Sequence, residues 1–216
     1  MDKKKRGLTL GAFFILLFIL WTGLLCFVDI KAIGPRESSV GFATINRFFR
    51  DIIGVNFTLY NITDWLGLVP IAFCFGFAIF GLCQWIKRKN ILKVDLDILL
   101  LGVFYIAVMG VYILFEYITI NHRPTLINGY LETSYPSSTT MLVMCVMPTA
   151  IMQFNKRINK DIFRRCVFII LSLFTAFMVV GRIISGVHWI TDIIGGALIS
   201  TGLVILYYSV YDLKTK

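Results

Sequence analysis

Charge is what this chain has least of. Only 15% of its 216 residues are Asp, Glu, Lys or Arg, against about 25% in a soluble domain. That scarcity excludes an ordinary water-facing surface. Acidic residues are fewer still, 12 against 21 basic, for a formal net charge of +9. Histidine occurs twice, at His122 and His188, too rarely for a histidine-rich metal cluster. The five cysteines are Cys26, Cys74, Cys83, Cys145 and Cys166. They are odd in number, form no Cys-x-x-Cys pair, have no histidine beside them and lie in or at the edge of apolar runs. They read as small buried hydrophobes, not as a disulfide framework or a zinc site. There is no low-complexity tract, no repeat and no linker, so residues 1–216 are expected to form a single domain.

What is present in abundance is apolar surface. Hydrophobic residues make up 58% of the chain, and the mean hydropathy is +0.82. A helix crossing the hydrocarbon core needs about 20 apolar residues. Six runs approach that length: Leu8 to Val28, Leu66 to Ile86, Ile98 to Ile120, Thr139 to Phe154, Cys166 to Ile184 and Trp189 to Tyr211. The fourth is short and carries Pro148, which predicts a kink. The first follows Lys3, Lys4, Lys5 and Arg6. It is longer than the roughly 7–15 residues of a signal-peptide core and lacks a small-residue cleavage site, so it is expected to be retained. The fold class is therefore all-α, a bundle of six transmembrane helices.

The basic residues orient the bundle. Fifteen of the 21 fall in the amino terminus, Lys87 to Lys93, Lys156 to Arg165 and the carboxyl tail with Lys214 and Lys216. Six spans put these four segments on one face, and the positive-inside rule makes that face cytoplasmic. Charge distributed in this way orients helices and does not point to nucleic acid, which is excluded as a partner. The protein is expected in a plasma membrane of bacterial type, with both termini inside.

On the outer side lies the long connection from Asp29 to Trp65. Within it Ile45, Phe48, Phe49, Ile52 and Ile53 recur at helical spacing, with Asn46, Arg47, Arg50 and Asp51 between them. That pattern predicts an amphipathic helix lying in the membrane interface. A lid over a site is the alternative.

Ionisable groups inside a membrane are costly and are functional candidates by default. Here they gather at one depth. Glu116, His122 and Arg123 close the third run, and Ser137, Ser138 and Thr139 open the fourth. Arg182 closes the fifth, and His188 and Asp192 open the sixth. Alternating spans bring all four ends to the outer face. His188 and Asp192 are four apart, on one helix face, where a carboxylate can orient an imidazole and stabilise its cation. Arg123 and Arg182 offer forks for phosphate oxygens. Ser137 and Ser138 add hydroxyls and free N–H groups at a helix start. Together they suit phosphoryl transfer.

At these residues the sequence resembles the type 2 phosphatidic acid phosphatase family, which shares its site with vanadium haloperoxidases. That family carries Lys-x6-Arg-Pro, Pro-Ser-Gly-His and Ser-Arg-x5-His-x3-Asp. Here the corresponding stretches are Glu116-x6-Arg123-Pro124, Pro136-Ser137-Ser138-Thr139 and Gly181-Arg182-x5-His188-x3-Asp192. Through the motifs the resemblance covers about residues 95 to 200. It implies a helical bundle that needs no metal or other cofactor and dephosphorylates lipid phosphates or diphosphates outside the cytoplasm. It implies that His188 forms a phosphohistidine, that Asp192 orients it, and that Arg123, Arg182 and Ser137 hold the phosphoryl oxygens.

Three positions depart from the pattern. Glu116 stands for the family's phosphate-binding lysine, Thr139 for the histidine that protonates the leaving group, and Gly181 for a serine. A threonine hydroxyl is no general acid near neutral pH. An alkoxide leaving group, with a pKa near water's of about 15.7, needs a proton. A phosphate leaving group, with a pKa of about 6, does not. A polyprenyl diphosphate is thus the favoured substrate, and His122 is a possible substitute acid. The alternative is a catalytically impaired protein that binds, senses or translocates lipid phosphates.

Overall fold

The computed structural model describes residues 3–214. Of the basic residues counted above, Lys216 lies outside them, as do the side chains of Lys3, Lys4 and Lys214. The helices are α1 (Lys3–Phe27), α2 (Ala43–Ile53), α3 (Phe57–Leu66), α4 (Leu68–Arg88), α5 (Leu96–Tyr117), α6 (Ser138–Arg157), α7 (Asp161–Ser185) and α8 (Ile190–Lys214). A short antiparallel ribbon, β1 (Lys31–Ala32) with β2 (Ser39–Val40), sits between α1 and α2.

Five helical stretches are long and apolar enough to cross a membrane: Lys5–Phe27, Phe57–Arg88, Leu96–Tyr117, Asp161–Ser185 and Ile190–Asp212. Their outward faces carry exposed Leu16, Phe75, Ile106 and Ile170, as lipid-facing surfaces do. The protein is an integral membrane protein. The remaining run, the fourth, corresponds to α6, which is not among the five. Its burial explains the difference. Val143, Cys145, Val146, Met147, Thr149 and Ala150 are all fully enclosed, because α6 packs against α4, α5, α7 and α8. A helix surrounded by protein does not need to be lipophilic, and α6 spends positions on Thr140, Thr149 and Gln153, all buried.

The second difference concerns the outer connection. The stretch assigned to it includes α3, which continues almost directly into α4. Gly67 keeps helical angles (φ −59, ψ −18), and its N–H donates to the carbonyls of Thr63 and Asp64. The connection therefore ends at Asn56, whose side chain caps α3 by accepting from Leu59 N at 2.9 Å.

The basic segments meet at one end of the bundle. Arg88 pairs with Asp95 at 2.8 Å, and Lys156 and Arg157 pair with buried Asp97 at 3.2 and 2.8 Å. Lys156 Nζ lies 5.9 Å from the centre of the Tyr211 ring, which adds the end of α8. Helix α1 runs antiparallel to α8. A Cβ on Gly11 would lie 2.7 Å from Leu206, and one on Gly202 would lie 2.7 Å from Ile15, so both positions serve close approach. At the opposite end Trp21 Nε1 donates to Thr191 O at 3.2 Å, and Thr22 and Tyr135 share a 2.6 Å hydroxyl contact.

The expected amphipathic helix is α2, and its two faces have separate tasks. Ile45, Phe48, Phe49 and Ile52 are exposed. Its polar face turns inward: Asn46 donates to Gly41 O and to Thr191 Oγ1 at 2.8 and 3.0 Å. Arg50 donates to Pro124 O and stands over the Trp189 ring.

Candidate active site

The start of α8 is fixed by its own aspartate. Asp192 Oδ2 accepts from Trp189 N at 2.9 Å, and Oδ1 lies 3.4 Å from the Asn121 Nδ2 donor. The Asp192 carbonyl accepts from Ser137 N at 3.1 Å, which ties the starts of α6 and α8 together. His188, on the bend before α8, is 7% exposed. Its Nδ1 lies 3.6 Å from Asp192 Oδ2, just beyond hydrogen-bond length; such contacts commonly tighten once substrate is bound.

Arg123 Nη1 lies 3.2 Å from His188 Nε2. A guanidinium only donates, so Nε2 accepts, and in the neutral ring the proton sits on Nδ1, facing Asp192. Burial, reinforced by the positive charges of Arg123 and then Arg182, holds the imidazole well below its ordinary pKa of 6.5. The ring is neutral near pH 7, with its nucleophilic lone pair on Nε2.

The two arginines share a platform. The guanidinium of Arg123 stands 5.7 Å and that of Arg182 5.0 Å from the Tyr60 ring centre. Arg123 Nε is 3.0 Å from Glu132 Oε2 without hydrogen-bond alignment. Arg182, 1% exposed, donates from Nη2 to Asp64 Oδ1 at 2.9 Å and to Thr139 Oγ1. The Nε donors of both arginines are buried and have no hydrogen-bond partner among the described residues. Two like charges side by side, with donors in reserve, suit an anion.

An apolar cavity of about 950 Å³ adjoins this pair, lined by α4, α5 and the first turns of α6. It extends from Trp85, Ile91 and Val94 near the basic end of the bundle to Asp64, Ser138 and Thr139 beside Arg182. His188 is not in its lining; it borders a small cleft with Asn46, Arg50 and Trp189. Contacts link His188 to Arg123, both arginines to the Tyr60 ring, and Arg182 to Thr139 and Asp64.

Among the residues singled out from sequence, Arg123, Arg182, His188, Asp192 and Thr139 come together through these contacts. Ser137 is fully buried, and its hydroxyl accepts from Thr140 N at 3.5 Å as the cap of α6. Ser138 lines the cavity. His122 is pinned by its carbonyl, which accepts from Trp189 Nε1 at 2.7 Å, and its segment bridges to Thr133. Glu116 is exposed near the end of α5 and has no hydrogen bond or ion pair among the described residues. Tyr60, Thr63, Asp64 and Asn121 are the additions. The first three form one face of α3 at i, i+3, i+4, a spacing visible in the sequence but lying in the stretch assigned to the outer connection.

No curated protein matches the chain. Among solved structures, a transmembrane PAP2-type phosphatidylglycerolphosphate phosphatase from Bacillus subtilis has the same fold. The TM-score is 0.56 at 21% identity, over 95% of this chain and 97% of that one. The family model of the PAP2 superfamily matches residues 99–216. That is more than half of the sequence and includes every motif residue discussed above; the chain belongs to the PAP2 superfamily.

Proposed function

We propose that this protein is a membrane lipid phosphate phosphatase or phosphotransferase working through a phosphohistidine on His188. The single unit of residues 1–216 would cross the membrane six times, with α6 as the enclosed fourth span, both termini cytoplasmic and the site extracytoplasmic. One observation carries the reading. A neutral imidazole with its acceptor nitrogen against Arg123 stands at one end of a two-arginine cradle, and a lipid-sized apolar cavity opens at the other.

In this reading the phosphoryl group displaces Arg123 from His188 Nε2 and takes the unused donors of both arginines. Nε2 attacks phosphorus, and Asp192 stabilises the ring as its charge develops. Ser137 and Ser138 border the cradle at the α6 N-terminus, where anions are favoured. The lipid tail lies in the cavity. The substrate class is a lipid diphosphate or phosphate ester, with polyprenyl diphosphate favoured because its phosphate leaving group departs without a proton.

A second reading, lipid-phosphate binding without turnover, is favoured by Thr139 and by the Asp64 carboxylate that occupies part of the Arg182 fork. Phosphate release from a panel of lipid diphosphates and monophosphates by the purified protein separates the two. The first reading expects release that His188→Ala abolishes. Specific lipid-phosphate binding with no release from any member of the panel supports the second.

A further inference from the structure

We propose that Asp64 is the general acid of this site, supplying to the leaving oxygen of a lipid phosphate monoester the proton that Thr139 cannot give. The inference rests on the function proposed above and extends its substrate range from diphosphates to monoesters.

In phosphoryl transfer the attacking and leaving atoms lie roughly in line through phosphorus. His188 borders the cleft and does not line the cavity, so a lipid whose tail lies in the cavity presents its leaving oxygen on the cavity side. The groups lining the cavity beside Arg182 are Asp64, Ser138 and Thr139. Hydroxyls of serine and threonine are not acids near neutral pH, which leaves the carboxyl. Asp64 Oδ1 and Thr139 Oγ1 accept from the same Arg182 Nη2, so the carboxyl adjoins the position whose residue departs from the motif. The Asp64 side chain is 55% exposed, so it is not enclosed by protein. His122 does not line the cavity, and its carbonyl is tied to Trp189.

At rest Asp64 is a carboxylate paired with Arg182. A monoester monoanion, whose second pKa is about 6, brings one proton and competes for the same guanidinium. Once phosphate oxygens occupy Arg182, the Asp64 carboxylate is released from its ion pair and takes the substrate's proton. The N–P bond then forms from His188 Nε2 while the P–O bond to the lipid breaks. The bonding pair goes to the leaving oxygen, and the Asp64 proton follows it to give the alcohol. In the second half Asp64 takes a proton from water as the water oxygen attacks phosphorus. The N–P bond breaks, its pair returns to Nε2, and the phosphate takes the proton from Asp64 as it departs, which restores the resting carboxylate.

The test measures kcat/KM of the full-length protein for a lipid monophosphate and a lipid diphosphate with the same tail. Losses common to both, from changed folding or changed Arg182 geometry, cancel in the ratio. Asp64→Asn should lower the monophosphate-to-diphosphate ratio by about 10²–10⁴, the usual worth of a positioned acid. Asp64→Glu should recover part of it, and Thr139→His added to Asp64→Asn should restore it. An unchanged ratio in Asp64→Asn overturns the proposal, as does a selective loss of monophosphate turnover in His122→Gln. Diphosphate turnover without any monophosphate turnover in the unsubstituted protein also overturns it, leaving the proposed function intact. Absence of turnover of both classes overturns the proposed function and this inference with it.

Discussion

In the proposed mechanism His188 has to meet two demands at once. As a nucleophile it needs a free lone pair on Nε2, and as a leaving group in the second half-reaction it needs its positive charge tolerated. Burial and the adjacent arginines meet the first by disfavouring the imidazolium; Asp192, fully buried beside Nδ1, answers the second. The sign of the pH dependence follows. A lowered pKa keeps the ring neutral at every pH above it, so the nucleophile is lost only when pH falls through a value below 6.5. Nitrogen NMR of histidine-labelled protein in detergent, with His122→Gln for assignment, should show His188 neutral at pH 6.5 and protonated on Nδ1. Arg123→Ala removes a positive charge and should move the titration upward, toward 6.5. A ring already half-protonated at pH 6.5 in the unsubstituted protein would contradict this account of the dyad. Gly181, where the motif has serine, has a local explanation. A Cβ there would lie 2.7 Å from Thr63 Cγ2, and Thr63 is fully buried with its hydroxyl bonded to Leu59 O at 2.9 Å. The missing serine is the space through which α3 reaches the site.

Helices differ in how openly the sequence declares them. Those facing lipid are legible because lipid demands an unbroken apolar run: α1, α5, α7 and α8 appear close to their expected bounds. The dyad is legible for a related reason, since four residues within one helix fix two side chains on one face without tertiary information. Helix α6 is only partly legible, because enclosure by its neighbours removes the demand for lipophilicity. Helix α3 escaped, although Tyr60, Thr63 and Asp64 carry helical spacing. Its contacts run to Arg182 and Arg123, far away in the chain, and nothing local announces a partner such as Arg182, more than 100 residues distant. Helix α2 shows the reverse case. Its apolar face is plain in the sequence, while the role of its polar face, holding Thr191 and Pro124 through Asn46 and Arg50, depends on where the end of the bundle sits.

The whole molecule is polarised from end to end. Basic residues and their buried partner Asp97 mark one end, and the arginine cradle with its histidine marks the other. In the proposed orientation, with the basic end cytoplasmic, a substrate phosphate would be processed on the far side of the membrane. In a background lacking the native cysteines, an impermeant thiol reagent applied to intact cells should label Tyr130→Cys and leave Asn159→Cys untouched. The opposite pattern would invert the proposed orientation. The chemistry at the far end is tested most directly by trapping the covalent intermediate. Rapid quenching of the protein with a lipid diphosphate labelled on its terminal phosphorus should leave label attached through an acid-labile, alkali-stable bond on His188. His188→Ala should carry none and release no phosphate. Sustained phosphate release by His188→Ala, or label found on another residue, would contradict the phosphohistidine mechanism.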